Sequence, residues 1–382
     1  MSTAFRSMGM SIVEIGLPSF VSSLAGSLTS YGFIIATFSV TQCIFQFPYA
    51  ALSDKFGRRK VVLIGMLIYI TGTFLCFLAQ DIMQLIIFRA IQGAGAYTSI
   101  LQAIIGDIYT KDQHGKGMGY YSLFMNIGFF LGIILGGYIS NYLGFRNIFS
   151  ISGFLICFST IFMFFVLKDN NKEGSSEYQD EKMEFTIKNI KILLKERQFG
   201  ASVTLNCVRW FLFGFITAYL VWVLQVQFGL NAIDTSYVLL LIVALYVGFV
   251  FISSHLLDRQ GPRKMMIIGQ SIVIIFGVLF FVPNLPYDLV FFLTVVSFIG
   301  IGIALFDPAG NTLLLEVIED IEPSLKGSGI GFNNAIGFFC GAIAPMIMSP
   351  LGELDVFIPF YIVFGLMVFS LIFTLMLVDK KY

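Results

Sequence analysis

The sequence predicts an all-α membrane protein with twelve transmembrane helices in two pseudo-symmetric bundles of six. Three observations predict it. The 382 residues are 57% hydrophobic and only 12% charged, with a mean hydropathy of +0.87, far from the balance of a soluble domain. Twelve apolar runs are long enough to cross a bilayer, which takes about 20 helical residues because hydrocarbon offers backbone groups no other partner. A short charged turn also occurs twice, as Asp54-Lys55-Phe56-Gly57-Arg58-Arg59-Lys60 and Asp258-Arg259-Gln260-Gly261-Pro262-Arg263-Lys264, with the aspartates 204 positions apart (258 minus 54). A spaced repeat of this kind points to a duplicated membrane unit.

Taken in order, the spans cover residues 2–23, 31–51, 61–79, 83–106, 117–138 and 148–167 in the first half. They cover 201–224, 236–256, 265–282, 289–313, 327–348 and 356–378 in the second. The first run lacks a basic leader and a small-residue cleavage site, so it reads as a span and not a signal peptide. Domains follow as 1–167, a linker at 168–199, and 200–382. Lys168 to Glu184 is rich in Lys, Asn, Glu, Ser and Asp and reads as a solvated linker. Ile187, Ile190, Leu193 and Leu194 then recur at helical spacing among lysines, which predicts an amphipathic helix on an anionic leaflet.

Basic residues set the orientation, because they stay on the cytoplasmic side of short loops. With the N-terminus inside, twelve Lys and Arg fall in cytoplasmic loops and ends, and seven in the linker; Arg146 alone falls outside, and Arg6, Arg89 and Arg209 lie within spans, accounting for all 23. Both termini are therefore expected in the cytoplasm of a plasma-membrane protein. Acids and bases are equal at 23 each, so no nucleic-acid partner is expected. Cys43, Cys76, Cys157, Cys207 and Cys340 all sit in apolar runs without metal-ligand spacing and read as small buried hydrophobes.

The fifth span carries Gly128, Gly132 and Gly136, and residues at i, i+4 and i+8 share a helix face where glycine lets another backbone come close. The eleventh carries a looser copy, Gly337, Gly341 and Pro345, and each span follows a Lys-Gly pair.

These residues carry a family resemblance. The turn from Asp54 to Lys60 resembles the loop signature of the major facilitator superfamily; Arg89 with Gln92, Gly93, Gly95 and Ala96 resembles its second motif; and the ladder of Gly128, Gly132, Gly136 and Gly137 resembles that of its drug and metabolite exporters. Ala50 and Ile133 stand where those motifs usually have Gly and Pro. The resemblance implies the major facilitator fold, alternating access around a midplane cavity, and a proton as coupling partner. It also implies that Asp54, Lys55, Gly57, Arg58 and Arg59, with Asp258, Arg259, Gly261 and Arg263 in the copy, act as gating loops, Asp54 locking near Ser328. On residue chemistry alone, the same turns anchor the chain to lipid phosphates.

Charges inside spans are the sharpest functional candidates, each costing about 2.5 to 3.5 kcal/mol at mid-bilayer. They are Arg6, Glu14, Arg89, Arg209 and Asp307. A carboxyl in a low-dielectric cavity is suited to carrying a proton, and Glu14 is preferred over Asp307. Arg89 is either a proton-transfer partner or a structural ion pair. Arg6 and Arg209, 203 positions apart (209 minus 6), sit at matching places in the first and seventh spans. They predict either an organic-anion clamp, as in phosphate-ester exchangers, or separate pairing with nearby acids. Asn206, with Gln42, Gln46, Asn126, Asn333 and Asn334, is a candidate to line a cavity, and Tyr219 and Trp222 to stack on substrate.

The function expected is secondary active transport of a small solute, as proton-coupled efflux of drug-like or metabolite compounds; organic-anion exchange through Arg6 and Arg209 and a non-transporting membrane sensor are the alternatives. No GxxxxGK[ST] loop is present, so ATP is not the expected energy source. No catalytic constellation, cofactor or metal is expected, because His114 and His255 fall in separate predicted loops. A monomer is expected.

Overall fold

The computed structural model describes residues 2–98, 100, 101, 104, 114–167, 187–282, 288–321 and 326–379. Its helices are α1 (Ser2–Ser23), α2 (Leu28–Phe56), α3 (Arg58–Leu78), α4 (Ile82–Ala94), α5 (His114–Tyr138) and α6 (Asn147–Val166). They continue as α7 (Ile187–Lys195), α8 (Arg197–Trp222), α9 (Ala232–Gln260), α10 (Pro262–Gly277), α11 (Leu289–Ile321), α12 (Lys326–Leu354) and α13 (Ile358–Leu377). Ten of the described helices are long and apolar enough to cross a membrane. The other two expected spans are α1, diluted by Arg6, Glu14 and small polar residues, and α4, which stops early. The fold is all-α with twelve spans, as the sequence predicts.

Helix ends follow local chemistry more than hydropathy. Both α2 and α9 run past their apolar runs into the charged turns, because helix continues through the headgroup zone until something stops it. Gly57 (φ 95°) and Gly261 (φ 78°) are those stops, in backbone conformations that favour glycine. The same extension corrects the placement of the two histidines: His114 opens α5 and His255 lies in the last turns of α9, not in loops. The side chains of Asp54, Lys55, Asp258 and Ser328, and the linker from Lys168 to Glu184, lie outside the described residues.

The fourth span is also corrected. A continuous helix is expected over 83–106, but α4 ends at Ala94 and Gly95 to Tyr97 is non-helical. Close neighbours from other helices surround the glycines at the break. A side chain at Gly93 would strike Phe38 O and Thr41 Oγ1 on α2, and one at Gly95 would lie 2.5 Å from Tyr69 N and 2.6 Å from Gly65 O on α3.

The chain divides into two compact units. Unit 1 comprises Met1–Lys172, Thr217–Leu240 and Pro345–Glu353. Within it α1 packs most extensively on α5, and α4 on α2 and α3. The glycine ladder makes the first contact: Gly128 meets the Ala4 backbone, Gly132 meets Met8 O and Ser11 Oγ, and a side chain on Gly136 would lie 3.0 Å from Ile12 Cα. Its apolar core includes Val62, Met66, Tyr97, Ile100 and Ile156. Unit 2 comprises Glu173–Ile216, Leu241–Ala344 and Leu354–Tyr382, with α10 packed on α11 and α13. There α8 and α12 touch through Gly214 and Gly341, while Gly337 lies under Trp210. The linker helix α7 docks by Leu193, which is fully buried in the unit 2 core, while Ile192, Leu194 and Lys191 are exposed; the side chains of Ile187 and Ile190 lie outside the described residues.

Candidate functional site

Unit 1 contains a cavity of about 70 Å³, room for about two waters. Glu14 of α1, Tyr31 and Phe38 of α2, Tyr69 of α3, Arg89 of α4 and Ala218 of α8 are among the groups that line it. Hydrophobic helix faces place these side chains: α1 turns its apolar residues Ile12, Val13, Ile15 and Leu17 into the bundle, carrying the half-buried Glu14 with them. No hydrogen bond or ion pair holds the Glu14 carboxylate among the described residues, and the cation whose field bears on it is Arg89. That leaves its oxygens available to a proton or a solute.

Arg89 is fixed by a chain of polar contacts. It is 5% exposed and donates from Nη1 to Gln92 Oε1 at 2.8 Å. Gln92 Nε2 donates to Thr73 Oγ1 at 2.8 Å, and Thr73 donates to Tyr69 O at 2.7 Å. The guanidinium also sits 4.7 Å over the Phe38 ring, a cation–π contact. This cluster sits one turn before the break at Gly95. Non-helical backbone at membrane depth is tolerated where it is buried in protein or lines a cavity.

A second polar cluster lies in unit 2. Arg209 forms an ion pair with Asp307 at 2.8 Å and also donates to Asp307 O at 3.0 Å and Asn206 Oδ1 at 2.5 Å. Asn206 Nδ2 donates to Asn333 O at 2.9 Å, and the Tyr246 hydroxyl donates to Asp307 Oδ2 at 3.2 Å.

The predicted site residues thus separate. Glu14 and Arg89 share the unit 1 cavity; Asn206, Arg209 and Asp307 share the unit 2 network. Arg6 does not line the cavity but lies 5.5 Å from the Tyr97 ring. Tyr219 is buried beside Gly352, and its neighbours Thr217 and Ala218 face the cavity instead. In the charged turns, Arg59 donates to Phe164 O at 2.8 Å and Arg263 to Leu375 O at 3.1 Å. Each guanidinium therefore caps carbonyls at the end of the last helix of its half, where a cation is favoured. Arg58 donates to Ser53 Oγ at 2.6 Å, and Arg259 is exposed.

Sequence reasoning missed Thr73, Tyr246 and Gln225. Gln225 is a buried polar group inside an apolar run, a signal that the sequence did contain.

A sequence profile described as Major Facilitator Superfamily matches residues 1–345. The chain belongs to the major facilitator superfamily. It resembles some curated proteins along nearly its full length. Multidrug resistance protein 2 of Bacillus subtilis is 24% identical over 98% of this chain and 92% of its own length. Quinolone resistance protein NorA of Staphylococcus aureus is 22% identical over 98% and 94%. An uncharacterized transporter of Buchnera aphidicola is 30% identical, over 39% of this chain; the match spans only 38% of that relative's length. Among solved structures, a D-xylose-proton symporter covers 100% of this chain and 97% of its own, with a TM-score of 0.77 and 14% identity. At that identity the likeness speaks for the fold alone.

Proposed function

We propose that this major facilitator transporter exports a drug-like or metabolite solute in exchange for protons, with Glu14 as the group that carries the proton. The observation that carries this reading is a carboxylate without a hydrogen bond among the described residues, facing an aromatic cavity that also holds a fixed cation. A carboxyl so placed is poised to exchange a proton for a solute contact, and Arg89 on its polar tether supplies a field that alters the balance. The names of two full-length relatives, a multidrug and a quinolone resistance protein, support the export direction. The basic residues support a plasma-membrane orientation with both termini cytoplasmic.

Exchange of organic anions through Arg6 and Arg209 has less support, because Arg209 is already matched by Asp307.

The test uses purified protein in proteoliposomes. Glu14→Gln is expected to abolish uphill transport driven by a pH gradient while leaving gradient-independent counterflow of the same solute in place. Uphill transport that survives in Glu14→Gln overturns the proton role.

A further inference from the structure

Gln225 takes no part in the cavity, yet its side chain is buried and both ends of its carboxamide are engaged. It lies in a π-helical turn, Val223–Gln227, that follows α8. Such a turn holds an extra residue and re-aims the side chains after it; it is common at functional sites. Gln225 Nε2 donates to Ile15 O at 2.7 Å, and Ser19 donates from Oγ to Gln225 Oε1 at 2.8 Å. Both partners are on α1, one turn apart, directly after Glu14.

The contact falls beside a proline in α1. Pro18 has no backbone N–H, so the carbonyl four residues earlier, that of Glu14, has no helical partner. The next carbonyl, Ile15 O, is the one Gln225 reaches. Three more contacts gather at the same end of unit 1. Tyr31 donates to Ala218 O at 3.1 Å and packs on Trp222 at 5.1 Å between rings. Glu353 Oε1 accepts from Thr29 N at 2.8 Å at the start of α2. Tyr31 and Ala218 line the Glu14 cavity themselves, so this end of the bundle is also the wall of the cavity.

We propose that Gln225 is the catch holding α1 to the end of α8 on this side of the cavity, and that its release opens the cavity to that side of the membrane during transport. The inference rests on the transporter reading, but not on which solute moves or on proton coupling. A carboxamide suits a reversible catch. It carries no charge to desolvate, both its bonds are to neutral partners, and water replaces them at small net loss.

The experiment places a cysteine at Ser39, which lines the cavity, in a chain whose five native cysteines are serine, and reconstitutes it in proteoliposomes. A membrane-impermeant charged maleimide is applied from each side in turn, without solute. Gln225→Leu removes both bonds and is expected to change the ratio of labelling rates between the two sides roughly tenfold, and Ser19→Ala, which removes one, about threefold. A merely structural role alters folding yield without favouring one side. An unchanged ratio in Gln225→Leu overturns the proposal. Should that variant not accumulate, an unchanged ratio in Ser19→Ala does the same. Labelling needs no substrate, so loss of proton-driven transport in Glu14→Gln and loss of the side preference here are separate outcomes.

Discussion

Removing either partner of the Arg209–Asp307 pair is expected to cost unequal amounts, and the inequality follows from what each leaves behind. The side chain of Arg209 is 7% exposed and that of Asp307 32%. In Asp307→Asn the guanidinium keeps two neutral acceptors, Asn206 Oδ1 and the main-chain oxygen of residue 307, but stays buried without its counter-charge, a loss of about 3–5 kcal/mol. In Arg209→Met, three acceptors lose their donor together, and the carboxylate keeps the Tyr246 hydroxyl and partial solvent. That loss is about 3 kcal/mol, the low end for breaking a buried pair, because Asp307 is partly hydrated. In Arg209→Met/Asp307→Asn no charge is left without its partner, so the double variant is expected to recover about 1–2 kcal/mol of the summed single losses. The assay is a double-mutant cycle in unfolding free energy, read by intrinsic fluorescence in mixed micelles titrated with SDS. Additivity of the two single losses to within about 0.5 kcal/mol would show that the pair is not coupled and refute the reasoning.

The other predictions concern packing. Gly128→Ala places a methyl against the Ala4 backbone, which cannot yield as a side chain can, and is expected to destabilise by about 1–3 kcal/mol in thermal unfolding. Gly200→Ala, in open space on α8, is the control and is expected to hold or raise stability by up to about 1 kcal/mol. Arg263→Ala removes a donor from the last turn of α13 and Arg59→Ala one from the last turn of α6. Each is expected to speed hydrogen exchange at that helix end alone, by roughly three- to tenfold.

The spans were legible because a bilayer imposes the same demand on every backbone whatever lies beside it. Runs of apolar residues therefore locate the helices, and Gly57 and Gly261 mark two of their ends, but α4 stops at Ala94 where 106 is expected and α11 runs on to Ile321 where 313 is expected. The break after Ala94 was not legible, since glycine also occurs inside helices, as Gly128 and Gly132 do in α5, and the neighbours that crowd Gly93 and Gly95, Phe38 and Gly65, come from helices distant in sequence. Within the candidate sites, Glu14, Arg89, Asn206, Arg209 and Asp307 stood out as polar groups in hydrocarbon. Their grouping did not. Asn206 and Arg209 share a helix face by spacing, but Asp307 is 98 positions from Arg209 and reaches it only through folding. The ring of Tyr219 suggests a stacking role, but one residue of helical rotation gives the cavity Ala218 instead.

Comparing the halves indicates where the transport chemistry should be sought. What repeats is scaffold: a left-handed glycine at each charged turn, an arginine capping the sixth helix of each half, and a glycine pair in α5 and α12 receiving the first helix of its half. These features answer needs common to both bundles, because each must end its second helix, satisfy terminal carbonyls and bring two helices close. Most polar groups within the spans do not repeat. The residues 204 positions after Glu14, Arg89 and Gln92 are Ala218, Leu293 and Val296. Arg6 and Arg209 do match in position, yet one lies on Tyr97 and the other on Asp307. A charge at membrane depth costs too much to keep without use, so its survival in one copy alone marks a task that scaffold duplication does not explain. By that criterion Glu14, Arg89 and Asp307 are the residues to substitute first in tests of the transport reading, and the charged turns, present in both halves, are the controls.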